Sequence, residues 1–187
     1  MNDKRELLIE TALTLFYRHG IRAVGINEVL KQSGIAKKTL YHHFAGKEEL
    51  IAAALEHRDT LFFDWLSAEM AQYSPGLPAI RGLFTALDRW LHGEVEQLSP
   101  FRGCFFINTV VEYGQEAEGL RETCQQHKQK VRTLIQSCLT QQQQAQPGLL
   151  DTLCLLKEGA IVTAQVNNDS NAARACLPLL ESLLSEA

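Results

Sequence analysis

The chain has 187 residues, 45% of them hydrophobic and 21% charged, which is room for one large domain or a small domain joined to a larger one and too apolar for a disordered chain. No apolar run approaches the ~18–20 residues that cross a bilayer. The net charge of −4 argues at first against a nucleic-acid partner, but residues 1–58 carry nine Lys/Arg against seven Asp/Glu, a net of +2, and the remainder carries −6.

In chain order, residues 4–19 place Ile9, Ala12, Leu13 and Phe16 at i, i+3, i+4 and i+7, the stripe of an amphipathic helix. Gly20 supplies its stop. Residues 26–33, INEVLKQS, predict a short second helix with Ile26, Val29 and Leu30 inward, broken by Gly34. Residues 37–43 predict a third, interrupted by Ala45 and Gly46. A long helix is expected from Lys47 to about Gln72, with Leu50, Ala53, Ala54, Leu61 and Trp65 near one face. YSPGLP (73–78) is the clearest linker. Helices are expected at about 78–97, 104–113 and 116–144, with SPFRG (99–103) as a break. Within 116–144, Leu120, Cys124, His127, Val131, Leu134 and Cys138 alternate four and three apart and form one seam. QQQQAQPG (141–148) predicts a helix end and a loop. The last two helices are expected at about 149–167 and 171–185, with a kink or a late start at Pro178. No βαβ alternation, Gly-rich phosphate loop or internal repeat appears, so about nine helices predict an all-α protein.

The five cysteines, at 104, 124, 138, 154 and 176, are scattered and odd in number, with no CxxC and no zinc spacing. Most of them are expected as small core hydrophobes, with no disulfide framework, no metal and no cofactor. The start, MNDKRELLIETAL, lacks a secretory h-region, and a cytoplasmic location is the expectation.

The densest chemistry lies in AKKTLYHHF, residues 36–44. Two short helices joined by a tight glycine turn, with a third beside them, form a helix-turn-helix arrangement. The second helix of such a pair enters the major groove of DNA. At ~100° per residue, Leu40 and Phe44 nearly superimpose and define a buried side. Lys38, Thr39 and His42 point away from it, Lys37 and Tyr41 flank one edge, and His43 the other. Lysine neutralises phosphate and reaches guanine edges, hydroxyls donate to phosphate, and Thr offers a methyl to thymine. Lys47, opening the next helix, is placed to reach another phosphate. His42 and His43 are adjacent, so they point ~100° apart and poorly chelate one ion, and the H-E-x-x-H pattern is absent. By itself, the stretch also fits an ordinary solvated helix face.

Residues 5–58, RELLIETALTLFYRHGIRAVGINEVLKQSGIAKKTLYHHFAGKEELIAAALEHR, resemble the N-terminal DNA-binding domain of TetR-family transcriptional repressors. The likeness includes A..LF...G, the SGI turn, TLYHHF and K.EL. It implies a helix-turn-helix domain over 1–46 and a larger ligand-binding and dimerisation domain over 47–187, connected by the helix from 47 to about 72. It further implies a homodimer on double-stranded, palindromic operator DNA, released by a small-molecule effector, with no enzymatic activity. By position, Lys37, Lys38, Thr39, Tyr41, His42, His43 and Lys47 match the family's DNA contacts, and Asn27 matches a further one. Three residues depart from its pattern. Gly25 stands where a Thr or Ser usually caps the second helix, Leu30 replaces a small Ala, and Ala36 stands where Ser often caps the recognition helix.

In the larger domain, Phe84, Trp90, Phe105, Asn108 and Tyr113, with Phe62 and Trp65, are candidates for an effector site, since aromatic walls with few polar groups suit a small apolar ligand. Each fits a plain core position as well. Cys104 follows FRG and opens an apolar helix, where free N–H groups favour a thiolate. The segment RGCFFINTVVEYG…LRE is similar to one in a branch of the family with electrophile-sensing members, so Cys104 stands as a sensor or as a structural cysteine. The last two helices resemble the family's dimerisation element. Gly159, Ala160, Ala164, Ala172, Ala173 and Ala175 allow close approach, and leucines supply apolar area. The competing class is a helical enzyme or small-molecule carrier.

Overall fold

The computed structural model describes residues 2–113 and 117–185. Among these, ten α-helices follow one another: α1 Asn2–His19, α2 Ile26–Ser33, α3 Lys37–His43, α4 Lys47–Met70, α5 Leu77–Leu91, α6 Phe105–Tyr113, α7 Glu118–Ser137, α8 Gln141–Gln144, α9 Leu149–Asn167 and α10 Leu177–Ser185. Two 3₁₀ turns, Glu96–Leu98 and Arg174–Cys176, complete the set, so the fold is all-α as expected. No described helix is long and apolar enough to cross a membrane.

Three boundaries differ from expectation, each for a local reason. The helix expected to reach 97 stops at Leu91, because Gly93 adopts φ 74° and the N–H of Glu94 turns back to the carbonyl of Arg89 at 3.0 Å. That is a glycine helix stop. The expected start at 116 lies outside the described residues, and α7 ends at Ser137 rather than 144. The Gln tract forms its own single-turn helix, α8, because Thr140 and Gln143 make a reciprocal capping box: the N–H of Gln143 donates to Thr140 Oγ1 (3.2 Å) and the N–H of Thr140 to Gln143 Oε1 (3.1 Å). This is the helix beyond nine. The final helix starts late, at Leu177, with Pro178 in its first turn, where a missing N–H costs nothing. Along α7 the four-three seam is buried through Val131, after which Ile135 and Leu139 take over from Leu134 and Cys138. A 3.6-residue turn drifts away from a 3.5-residue spacing.

The chain packs as two compact units. The first comprises residues 1–60 with 105–127. In it α1, α2 and α3 pack on one another around Leu8, Ala12, Phe16, Val29, Leu40 and Phe44, all buried. Each of these side chains larger than Ala12 contributes roughly 1.5–3 kcal/mol when fully buried. Also buried here is an Asp59–His127 pair, Oδ1 to Nδ1 2.7 Å, with the imidazole stacked 3.5 Å above the ring of Phe106. The second unit comprises residues 61–104 with 128–187. Its central helix is α5, which packs on α9 and α10 and buries Ile80, Leu83, Phe84, Leu87 and Trp90. Ion pairs Asp88–Arg174 (2.8 Å) and Arg81–Glu181 (2.7 Å) tie α5 to the C-terminal segment.

Candidate nucleic-acid interface and effector region

The α2–α3 pair is shaped by its glycines. Gly34 takes φ 67° and its N–H donates to the carbonyl of Leu30 at 3.0 Å, ending α2 in the left-handed turn that only glycine enters cheaply. Three residues later, at Lys37, α3 begins. Neither helix has a side-chain N-cap: Gly25 has no side chain to offer and Ala36 no acceptor, although both hold the extended backbone of a cap position.

On α3, Leu40 is 0% and Phe44 1% exposed, so the expected buried side is the observed one. Lys37, Lys38, Tyr41 and His42 are exposed, and Thr39 and His43 are half-buried. The Lys37 ammonium lies 5.9 Å from the centre of the Tyr41 ring, which keeps both side chains on one edge. The His42 and His43 rings meet edge-on at 5.2 Å. Among the described residues, the group of three possible metal ligands is Glu6, Glu10 and His57, on α1 and α4, and neither α3 histidine belongs to it. Asn27 is exposed in the first turn of α2. α3 itself contains no carboxylate, so its outward face is cationic, hydroxylic and aromatic.

Lys47 is placed differently from its neighbours. Its Nζ donates to the carbonyl of Ile21 at 2.5 Å and lies 5.8 Å from the Phe16 ring. Burial holds its pKa below the usual lysine value; Glu112 works against that shift and Arg22 with it.

The eight residues predicted to line an effector site fall in both units. In the second, Phe62, Trp65, Trp90 and also Phe101 form one aromatic cluster: Phe62 is 5.4 Å from Trp65 and 5.2 Å from Trp90, and Phe101 stands edge-on to Trp90 at 5.0 Å. Phe84 is fully buried in the same unit. The indole N–H groups of Trp65 and Trp90 are buried with no acceptor among the described residues, which is costly unless something else supplies one. Cys104 is 5% exposed, and its Sγ lies 3.4 Å from Lys128 Nζ. Lys128 also bonds both Glu158 oxygens, at 2.9 and 2.8 Å, and Glu158 contacts the buried Lys157 as well. Burial works against the charge on Lys128, but Cys104 and Glu158 outweigh it and raise its pKa.

The other three lie in the first unit. Phe105 packs edge-on against Tyr17 at 6.0 Å, Asn108 is half-buried, and Tyr113 lies under the guanidinium of Arg22 at 5.0 Å. Sequence reasoning missed Lys128, Glu158, Arg22 and Glu112. Each acts on a partner far away in the chain, and no local spacing signals that.

A groove of ≈ 440 Å³ also opens along α9 and the segment after it, lined by Leu155, Gly159, Thr163, Ala172 and Cys176 among others, and by none of those eight residues.

The description "Bacterial regulatory proteins, tetR family" matches residues 8–54, and "Tetracyclin repressor-like, C-terminal domain" matches residues 76–178. The HTH-type transcriptional repressor KstR2 of Mycobacterium tuberculosis is 34% identical over 90 residues, 46% of this chain and 43% of that protein. The chain thus spans less than half the length of that relative. The HTH-type transcriptional repressor ComR of Escherichia coli is 29% identical over 142 residues, 71% of this chain and 62% of that one. A TetR-family transcriptional regulator from Streptomyces coelicolor superposes with a TM-score of 0.85 at 26% identity, covering 98% of this chain and 89% of its own. With both halves of the fold matched, the chain belongs to the tetR family of bacterial regulatory proteins, a family of DNA-binding transcriptional regulators and not of enzymes.

Proposed function

We propose that the chain acts in the cytoplasm as a homodimeric repressor that binds a palindromic operator through α3 of each subunit and leaves it when a small molecule acts on the region beyond residue 47. The observation that carries this reading is the division of α3: Leu40 and Phe44 hold the helix, and Lys37, Lys38, Tyr41 and His42 are left free to meet DNA. In this reading Lys37 and Tyr41 hold phosphates, and Lys38, Thr39 and His42 face base edges. His43, Lys47 and Asn27 contribute at the margins. KstR2 and ComR are both named repressors, which favours repression over activation.

The second subunit docks on α9 and α10. Leu155 and Val166 on α9 are 72% and 75% exposed and Leu179 on α10 is 48% exposed, and Leu155 borders a groove that Gly159, Ala160, Ala172 and Ala175 also line. Dimerisation doubles the cationic face, so a net acidic chain still binds DNA. Release is a population shift: effector favours a spacing of the two α3 helices that no longer matches the half-sites.

The unpartnered indoles of Trp65 and Trp90, in a cluster with Phe62, favour an apolar effector that brings a hydrogen-bond acceptor. Phe84, buried in the same unit, completes the candidate lining there. A thiol-reactive effector is the second reading, favoured by the Lys128 ammonium beside the Cys104 sulfur. Cys104→Ser then abolishes release by an α,β-unsaturated carbonyl compound and leaves DNA binding intact; unchanged release in that variant sinks the thiol reading alone.

The test of the main reading is selection of bound duplexes from a randomised library, followed by gel shift at graded salt. The expected result is one inverted repeat, with affinity falling by ~10³ or more between low and moderate salt for ~6–10 neutralised phosphates. No preference over random duplex overturns it.

A further inference from the structure

The turn between α1 and α2 is held by side chains from elsewhere. Glu112, in the last turn of α6, accepts the N–H of Ile21 on Oε1 (3.1 Å) and the N–H of Arg22 on Oε2 (2.6 Å). Arg22 returns a bond from its Nε to the carbonyl of Glu112 (2.8 Å) and lays its guanidinium on Tyr113. The carbonyl of the same Ile21 accepts from Lys47 on α4. One residue of the turn therefore has its donor held by α6 and its acceptor held by α4, and Ile21 itself is 1% exposed. All of these groups belong to the first compact unit.

The clamp sits just upstream of a weakly anchored helix. α2 starts at Ile26, and its cap position, Gly25, makes no side-chain bond. The entry to α2 thus lacks the local lock that Ser or Thr supplies, and its direction depends on how residues 20–22 are held. Carboxylate-to-backbone bonds are charge-assisted and stronger than neutral ones, and a two-oxygen grip fixes orientation as well as position. The far end of α6 meets the same three-helix head through Phe105 on Tyr17.

We infer that Glu112 is a positioning residue for DNA recognition: α6 is an integral part of the DNA-binding unit, and the Glu112 clamp on Ile21 and Arg22 sets the placement of the α2–α3 pair. Glu112 itself touches no DNA. It acts by restricting the angles at which α3 is presented, so its loss broadens the half-site spacings the dimer accepts rather than only weakening binding. That consequence rests on the operator-binding reading; the clamp itself does not.

The experiment uses the full-length wild type, Glu112→Gln and Glu112→Ala. Glutamine keeps the shape but sets an NH₂ donor against one of two backbone donors, so it loses the grip without the hole that alanine leaves. Binding is measured by fluorescence anisotropy on the duplex selected by the wild type and on versions with its half-sites moved one base pair together or apart. Amide exchange at Ile21 and Arg22 is followed in parallel. In Glu112→Gln, exchange at those two amides rises about tenfold or more, as expected for losing a charge-assisted bond. Its preference for the selected spacing over the shifted ones falls several-fold while dimer mass stays at the wild-type value and melting falls by only a few degrees; alanine has the larger effect. A folded Glu112→Gln with wild-type spacing preference or wild-type protection at Ile21 and Arg22 overturns the inference. A wild type indifferent to spacing overturns the palindromic reading instead, and with it the proposed consequence, but leaves the exchange result to judge the clamp.

Discussion

At the scale of single residues, α3 separates two jobs. Leu40 and Phe44 have no exposed surface to lend to a partner, and Lys37 and His42 have little role in packing. Lys37→Ala is expected to weaken binding to all duplexes alike and to lower the salt slope by about 1 per subunit, as loss of a phosphate contact does. His42→Ala is expected to relax preference at one position of each half-site. Anisotropy titrations on operator variants at several salt concentrations separate the two effects. A different residue-scale prediction concerns pH. Burial raises the pKa of Glu158, but Lys157 and Lys128 overcome it and leave the carboxyl below its ordinary value. A folded-state pKa below the unfolded one means stability that is present above the ordinary carboxylate range and lost as pH falls through the folded value. Glu158→Gln should therefore be less stable than wild type at neutral pH, with the gap in melting temperature closing as pH drops below about 4.

At the scale of elements, α3 is a seven-residue helix that starts without a cap. Ala36 already has the cap backbone, φ −67° and ψ 143°, and lacks only an acceptor. Ala36→Ser should stabilise the chain by about 1 kcal/mol and raise its melting point by ~2–4 °C in calorimetry. The elements were legible in proportion to how local their signals are. Gly20, Gly34 and the Leu40–Phe44 pair mark α1 to α3 within a few residues of where the structure has them. Gly93 carried an equally local stop signal, but apolar residues at 95 and 98 continued the pattern past it. The capping box of Thr140 and Gln143 was hidden because the four residues after Thr140 are all glutamine. The grip of Glu112 on residues 21 and 22 spans about ninety positions and has no periodicity to betray it. The same holds for Lys128 beside Cys104. Of the predicted effector residues, Phe62, Trp65 and Trp90 came together because all lie on the apolar stripes of α4 and α5, whereas Phe105 and Tyr113 were drawn to Tyr17 and Arg22 of the other unit.

At the scale of the molecule, α9 exposes Leu155, Val162 and Val166 at spacings of seven and four, an apolar stripe along one helix face. In the proposed dimer, Leu155→Glu brings a carboxylate from each subunit into a two-fold interface. The expected outcome is a shift from dimer to monomer in sedimentation at micromolar concentration, with operator affinity falling by at least a hundredfold, about 2.7 kcal/mol, as bivalent contact is lost. A dimer of unchanged mass would place the interface elsewhere.

The split on α3 has a consequence for descent as well as for binding. In the proposed reading, anchoring and base reading fall to different side chains, so exchanges at the exposed reading positions 38 and 42 should alter stability by no more than about 0.5 kcal/mol, the usual range for surface sites. A lineage can therefore change which sequence it reads one letter at a time, each intermediate still folded, while Leu40 and Phe44 stay as they are. Duplicated copies of such a gene can drift to new operators without first passing through a broken protein.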